Sequence, residues 1–279
     1  MRAHIMKTKL TAISFLACTI LQVKAASLGL NFVGSNTSNG TLSAGMVAGI
    51  PGAQQPLWNN ISSVSTFSSN FTDTAGQSFT VEHIGADVSA SKNYLNTTDG
   101  LNDMNDRLMN GWWSGAVDSG GKLNFRNIPA SYLATGYNVI VYAAGTRPWT
   151  QSISLDANMR GDFTSSIFYL QCTTTFNGTF LRATSTNSSA PTIGANFVQF
   201  DNLTASTFTL LMMPSSSLQC RYFNAVQVVQ SIPELSSGAL CFAAAIGIFS
   251  FRHLNRIWQR ARSGCRKTGK SAFASSQTQ

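Results

Sequence analysis

Four tryptophans in the middle of the chain are the side chains best suited to hold a ligand. Trp112 and Trp113 are adjacent in the stretch DRLMNGWW, and Trp58 and Trp149 lie in other loop-like stretches. Sugar rings stack their C–H faces on aromatic planes, and neighbouring polar side chains hydrogen-bond the hydroxyls. The pattern is typical of a glycan-binding surface. The alternative is that these large rings pack beneath long loops.

Acidic and amide side chains crowd into the stretch TTDGLNDMND, just before the tryptophan pair. They are Asp99, Asn102, Asp103, Asn105 and Asp106. Hard oxygen ligands of this kind hold Ca²⁺ in proteins. The spacing matches no calcium-binding loop, so a solvated turn is the alternative. We therefore predict no cofactor and no metal ligands, with a structural Ca²⁺ here as the second interpretation.

Residues suited to catalysis are scarce between the two ends of the chain. His83 and Glu82 are adjacent in SFTVEHIG, and strand neighbours point to opposite faces, so the two would not act on one substrate atom. A serine nucleophile elbow is missing from the sequence, and a zinc site needs more His or Cys. A carboxylate pair for glycoside hydrolysis would come from aspartates among which nothing singles out two. These are Asp87, Asp103, Asp118, Asp156, Asp162 and Asp201. We predict no catalytic residues, and two close carboxylates in a cleft would favour the hydrolase alternative.

The charge of the chain lies mainly at its ends. Only 11% of the 279 residues are charged, and the abundance of Ser, Thr, Asn and Gly is typical of extracellular β-rich proteins. Between residues 26 and 231 there are eight Lys and Arg against ten Asp and Glu, so the net charge of +8 is not a property of the middle segment. We therefore predict no nucleic-acid partner.

The N-terminus has the pattern of a secretory signal peptide. Basic residues are followed by an apolar run over 10–23, and Val23 and Ala25 occupy the −3 and −1 positions of a cleavage site. We predict cleavage after Ala25; a retained N-terminal anchor is the alternative. In the oxidising compartment beyond the membrane, the isolated pair Cys172 and Cys220 favours one disulfide, the alternative being two unpaired buried thiols.

A short apolar run lies near the C-terminus, and arginines follow it directly. Residues 235–251 carry no charge and would span roughly 25 Å as a helix, against a bilayer core of about 30 Å. Positive residues begin at Arg252, and the positive-inside rule keeps them in the cytoplasm. We predict a marginal transmembrane helix over 235–251, with an exported body before it and a basic cytoplasmic tail after it.

Pro233 and Glu234 stand just before that run. A Pro-Glu motif, a short apolar helix and then arginines resemble the PEP-CTERM sorting signal of Gram-negative bacteria, over residues 232–256. The resemblance implies that an exosortase-type membrane transpeptidase recognises Pro233 and Glu234, and that the body reaches the cell surface or the extracellular matrix. The sequence departs from the pattern in having Leu235 in place of a second proline and a longer tail.

The body between these signals has the pattern of strands. Short apolar segments rich in β-branched and aromatic residues alternate with turn residues, as in an antiparallel sandwich or jelly roll. We predict one all-β domain of this class, with a short helical turn at 101–112 and surface loops at 62–70 and 184–192. The predicted strands are 28–33, 78–84, 122–128, 137–143, 152–155, 167–170, 179–184, 195–200, 207–213 and 223–229.

Four stretches of the body resemble, in their order, a group of bacterial secreted proteins that carry PEP-CTERM signals. They are NFVGSN, PLWNNIS, NDRLMNGWW and RYFNAVQVV. The resemblance implies a jelly-roll, galactose-binding-like body and leaves the activity open.

The sequence therefore predicts an exported, non-catalytic surface or matrix protein with four parts. They are a signal peptide (1–25), an extracellular β-sandwich domain (26–231), a sorting segment with its transmembrane helix (232–256) and a basic cytoplasmic tail (257–279). Its expected partners are exosortase-type sorting machinery, the membrane, and an extracellular polysaccharide as candidate ligand. The alternatives are a glycan-active hydrolase and a plain type I membrane-anchored structural protein.

Overall fold

The chain divides into two compact units, Met1–Ile232 and Pro233–Gln279. The computed structural model describes parts of the first unit, namely residues 25–33, 40–62, 68–84, 103–111, 113–114, 121–145, 150–161, 166–171, 176–214 and 222–232. No helix within these residues is long and apolar enough to cross a membrane. The predicted sorting motif, the helix over 235–251 and the cytoplasmic tail lie outside them, as does the signal peptide before Ala25.

Strands dominate the described part of the chain. They are β1 (Ser27–Phe32), β2 (Asn59–Ile61), β3 (Ser68–Thr72), β4 (Ser78–Ile84), β5 (Trp113–Ser114), β6 (Gly121–Arg126), β7 (Tyr137–Tyr142), β8 (Thr150–Ala157), β9 (Ile167–Gln171), β10 (Thr192–Ile193), β11 (Phe197–Leu203), β12 (Phe208–Pro214), β13 (Tyr222–Phe223) and β14 (Ala225–Gln230). Two short helices accompany them in the same residues, α1 (Met104–Asn110) and α2 (Ala130–Thr135).

Most of these strands form two sheets. One sheet has five strands in the order β11-β7-β14-β1-β2, and the other has seven in the order β10-β9-β8-β12-β6-β4-β3. Neighbouring strands are antiparallel, except that β1 with β2 and β9 with β10 are parallel pairs. Strands β5 and β13 pair with each other in a separate two-stranded ribbon.

The main core lies between the two sheets. Alternate residues of most strands point into it, such as Leu28 and Leu30 from the five-stranded sheet and Phe125 and Phe208 from the seven-stranded sheet. The rings of Phe125 and Phe208 stack with their centroids 4.4 Å apart. Two sheets that bury their apolar faces against each other form a β-sandwich. The predicted all-β sandwich is confirmed at this level.

A second apolar cluster covers the outer face of the five-stranded sheet. We call residues 42–58 the covering loop. Its Trp58 ring packs edge-on against the Tyr142 ring of β7, with centroids 6.1 Å apart. The Ile50 N–H donates to the Tyr142 hydroxyl (3.0 Å), which donates to the Gln227 side chain (2.9 Å). The covering loop therefore encloses a sheet face that would otherwise meet solvent.

One predicted strand, 179–184, is wrong. This segment bonds the backbone of residues 196–197 and forms an isolated bridge between Arg182 and Phe197, but it does not continue as a strand. The Leu181 N–H donates to the Asn196 side chain (3.0 Å), and the Leu181 side chain is 47% exposed. A side-chain acceptor has thus taken the place of a ladder partner, because Asn competes with the backbone for such bonds.

The loop predicted at 62–70 also needs correction, since residues 68–70 begin β3. This strand lies at the edge of the seven-stranded sheet, and its exposed, polar side chains resemble those of a loop. The other predicted strands coincide with β1, β4, β6, β7, β8, β9, β11, β12 and β14, and the predicted helical turn contains α1.

Gly29 of β1 lies directly beneath the covering loop. A β-carbon there would stand 2.6 Å from Trp58 Cε3 and 1.8 Å from Gln55 Nε2. We expect Gly29→Ala to lower the free energy of unfolding by about 1–3 kcal/mol, because overpacking forces the loop to move. Urea denaturation of the purified chain measures this. Gly40→Ala is the matched control, since its β-carbon would come no nearer than 3.2 Å to Val33 Cγ1. Equal losses in the two variants would contradict the expectation.

Candidate functional site

Two of the four candidate tryptophans lie in the cores. Trp58 is 5% exposed, and its indole N–H donates to the Gln55 carbonyl (3.2 Å). Trp113 is 1% exposed and belongs to the main core. Neither ring presents a face to solvent, so the packing interpretation holds for these two. Trp112 and Trp149 lie outside the described residues.

Aromatic rings enclose Trp113 on several sides. Its ring lies 5.9 Å from that of Phe32 and 5.5 Å from that of Phe223, centroid to centroid. The His83 ring meets it edge to face at 5.0 Å. A β-carbon on Gly121 would come within 2.4 Å of its Cη2 atom. Trp113 therefore fills space within the main core.

His83 and Glu82 point to opposite faces of β4, as predicted. The His83 side chain is buried against Trp113. The Glu82 carboxylate faces outward and pairs with the Arg126 guanidinium of β6, with Nε and Oε2 2.8 Å apart. The imidazole and the carboxylate are thus separated by the sheet and do not form an acid–base pair.

The acidic stretch before the tryptophan pair begins a helix. The Asp103 carboxylate accepts the N–H groups of Asn105 (2.7 Å) and Asp106 (2.9 Å), and the Asp106 carboxylate accepts the N–H of Asp103 (3.1 Å). These reciprocal bonds form a capping box for α1. The Asn105 side chain accepts the N–H of Gly49 (3.0 Å) and ties the helix to the covering loop.

Three of the five candidate Ca²⁺ ligands therefore hold backbone N–H groups instead. The other two, Asp99 and Asn102, lie outside the described residues. Within the segments that the structure describes, no three His, Cys, Asp or Glu side chains come together as metal ligands.

Other described carboxylates have partners of their own. The buried Asp73 accepts the Tyr132 hydroxyl (2.8 Å) and the N–H groups of its own turn. Burial, and next the hydrogen bond to Asp73, raise the pKa of Tyr132 well above its usual range, so the hydroxyl remains a donor at neutral pH. Asp201 pairs with Arg182 at 2.7 Å. These contacts give the carboxylates structural roles.

Polar side chains form a row across the outward face of the seven-stranded sheet. Ser68, Glu82, Asn124, Thr209 and Asp156 are register partners on β3, β4, β6, β12 and β8, in that order. We call these five residues the polar row. Because side chains alternate along a strand, the row lies on the face opposite the main core.

The middle of the polar row is buried and only partly hydrogen-bonded. Asn124 is 7% exposed, Thr209 5% and Asp156 3%. The Thr209 hydroxyl donates to Asn124 Oδ1 (2.7 Å), and the Gly161 N–H donates to Asp156 Oδ2. Among the described residues, neither Asn124 Nδ2 nor Asp156 Oδ1 has a hydrogen-bond partner. The row therefore offers one donor and one acceptor to a bound molecule.

The carboxylates of the polar row are too far apart for glycoside hydrolysis. Glu82 and Asp156 are separated by three strand steps of about 4.8 Å, or about 14 Å of sheet. Carboxylate pairs that cleave a glycosidic bond are about 5–9.5 Å apart. Three other aspartates named from the sequence, Asp87, Asp118 and Asp162, lie outside the described residues.

Sequence reasoning did not find the polar row. The alternation in GKLNFR separates Asn124 from Leu123 and Phe125, and the same signal in β8 and β12 marks Asp156 and Thr209 as outward-facing. Alternation assigns a face to each residue but does not say which strands are neighbours.

The remaining predicted site residues lie at or beyond the limits of the described segments. Ala25 is half-buried and stands just before β1. Cys172, Cys220, Pro233 and Glu234 fall outside the described residues, so the disulfide and the sorting motif stay predictions.

Comparison with known proteins shows a distant structural similarity. No protein-family model matches the chain, and no curated protein matches it. Among solved structures, the chain is similar to the CBM35 from Cellvibrio japonicus Abf62, with 12% sequence identity over 55% of this chain and 94% of that one, at a TM-score of 0.27. Similarity at this TM-score is not an argument for a shared function.

If Asp103 caps α1 and does not bind calcium, its substitution should affect stability in a way that calcium does not change. We expect Asp103→Ala to lower the free energy of unfolding by about 1 kcal/mol, the usual cost of losing an N-cap, and Asp103→Asn to retain most of the stability. We expect calcium and EDTA to leave the melting temperature of the unaltered chain unchanged. Thermal denaturation measures both effects. A melting temperature that rises with calcium and loses this response in Asp103→Asn would instead support a bound ion.

Proposed function

We propose that this chain is an exported, non-catalytic protein of the cell surface or extracellular matrix, whose sandwich body binds a polysaccharide. The proposal includes a jelly-roll body, a signal peptide over 1–25, a PEP-CTERM-like motif at Pro233 and Glu234 and a transmembrane helix over 235–251. Its partners are exosortase-type sorting machinery, the membrane and the polysaccharide. The observation that carries the proposal is that the first and last described strands of the body pair with each other, next to the two proposed processing sites.

Strands β1 and β14 are antiparallel neighbours in the five-stranded sheet. β1 begins at Ser27, after the proposed cleavage site, and β14 ends at Gln230, before the sorting motif. The Gln230 N–H donates to the Ala26 carbonyl (2.9 Å), and the Ser231 N–H donates to the Gly136 carbonyl (2.9 Å). Cleavage after Ala25, or beyond Ile232, would therefore leave the backbone bonds of both strands intact.

The positions of the described carboxylates favour binding over hydrolysis. Glu82 and Asp156 are about 14 Å apart along the sheet, and Asp73, Asp103 and Asp201 hold a turn, a helix start and an ion pair. The proposed Cys172–Cys220 disulfide belongs with this function, because export takes the body into an oxidising compartment.

Sorting is tested by following the full chain in a Gram-negative host that has exosortase-type machinery. We expect the mature protein to begin at Ala26 and to leave the membrane fraction. We expect Pro233→Ala/Glu234→Ala to remain in that fraction, because the recognition motif is lost. Ser236→Ala/Ser237→Ala is the matched control and should be released normally. Membrane retention of the unaltered chain and both variants alike would identify a plain anchor.

Polysaccharide binding by the proposed tryptophans is tested by retention of the full chain on insoluble polymers. We expect Trp112→Ala/Trp149→Ala to bind at least tenfold more weakly, because each stacked ring contributes roughly 0.5–1.5 kcal/mol beyond its buried area. Trp258→Ala, in the proposed cytoplasmic tail, is the matched control.

Trp113 should be left intact in this experiment, since emptying its site would cost about 3–5 kcal/mol of stability. Retention that is equal in both variants would exclude Trp112 and Trp149 as binding residues. A lack of retention by the unaltered chain across neutral and acidic polymers would contradict the binding function.

A further inference from the structure

We propose that the polar row is a binding site for a neutral, hydroxyl-rich polysaccharide that lies across the strands of the seven-stranded sheet. This inference rests on the proposed function, because it assigns a surface and a ligand class to the polysaccharide-binding body. It differs from the tryptophan hypothesis in using groups that the structure describes.

The burial of the row is the first observation. The outward face of an antiparallel sheet is commonly solvated, so polar side chains there are expected to be exposed. Asn124, Thr209 and Asp156 are instead nearly hidden, and so are Ser152 and Ser154 on the same face of β8. Buried polar residues are the informative exception in a folded protein. These short side chains form a buried polar patch on the outward face of the sheet.

The unused hydrogen-bonding groups are the second observation. Asn124 Nδ2 is a donor and Asp156 Oδ1 an acceptor, and neither has a partner among the described residues. Their strands flank that of Thr209 on either side, so their backbones are about 9–10 Å apart. A hydroxyl group both donates and accepts, so sugar hydroxyls can satisfy both side chains. A chain of sugar units would reach both points at once.

The charges of the surface indicate a neutral ligand. Across β3, β4, β6, β12 and β8, the outward-facing charged residues are Glu82, Lys122, Arg126 and Asp156. Two are acidic and two are basic, and Glu82 and Arg126 are joined by an ion pair. These strand residues therefore carry no net charge that would attract an ionic polymer. An acidic polymer would also bring like charge to the Asp156 carboxylate.

Two isosteric substitutions test the site without removing its packing. Asn124→Asp keeps the acceptor for the Thr209 hydroxyl and removes the unused donor. Asp156→Asn keeps an acceptor for the Gly161 N–H and removes the carboxylate charge. Asn138→Asp is the matched control: Asn138 lies on β7 of the other sheet, where its Oδ1 accepts the N–H of Asn202 (2.9 Å).

The measurement is affinity of the detergent-solubilised full chain for cellulose, galactomannan, alginate and polygalacturonate, with melting temperatures recorded for every variant. We expect the unaltered chain to bind a neutral polymer. We expect Asn124→Asp and Asp156→Asn to bind it about tenfold more weakly, because each presents the bound hydroxyl with an acceptor in place of a donor or the reverse, and we expect Asn138→Asp to bind normally.

The possible failures are distinct. Retention of the unaltered chain by no polymer would reject the proposed function together with this inference. Equal retention of the unaltered chain and both row variants, each with an unchanged melting temperature, would reject the polar row and leave the proposed function standing. Retention by the acidic polymers alone would overturn the neutral ligand class.

Discussion

The enclosure of β1 on both faces is the constraint on which the described sandwich depends. Every residue of this strand is buried. Leu28 and Leu30 enter the core between the sheets, whereas Gly29 faces the covering loop and the Asn31 side chain bonds Gly40 and Asn60 on either side of that loop in sequence. The Asn31 amide donates to the Gly40 carbonyl (2.8 Å), so β1 also holds the chain just before the covering loop. One strand thus joins the main core, the second apolar cluster and the last strand of the body.

The outer faces of the two sheets differ in polarity. The five-stranded sheet has its outer face covered by apolar side chains, including Trp58 and Ile50. The seven-stranded sheet carries polar groups there, among them Asn124, Thr209 and Asp156. Apolar cover stabilises the fold because it removes surface from water, but it leaves little for a polar ligand to bind. The polar face is therefore the better place for recognition of hydroxyl groups.

Sequence reasoning succeeded where local chemistry decides the structure. Continuous apolar stretches such as VIVYAA and FTLLMM correspond to β7 and β12, both interior strands of their sheets. It failed at 179–184, where the Asn196 side chain replaced a strand partner, and at β3, whose edge position requires no apolar face.

The tryptophans show the same limit. Polar neighbours made Trp58 resemble a surface residue, but the covering loop folds back on the sheet and buries its ring. The acidic stretch likewise resembled a set of metal ligands until the start of α1 gave Asp103 and Asp106 backbone partners. Composition describes the side chains available to a segment and not the surface against which that segment packs.

The sequence by itself located nine of the described strands and determined which residues of each strand share a face. The location follows from local side-chain chemistry, and the shared face follows from the covalent geometry of the chain, in which successive side chains point to opposite sides. Only the tertiary structure decided which strands became neighbours. The Thr209 hydroxyl and the Asn124 amide are 85 residues apart in sequence and 2.7 Å apart in space. Such pairings depend on the burial of all the apolar faces together, and no local pattern contains that information.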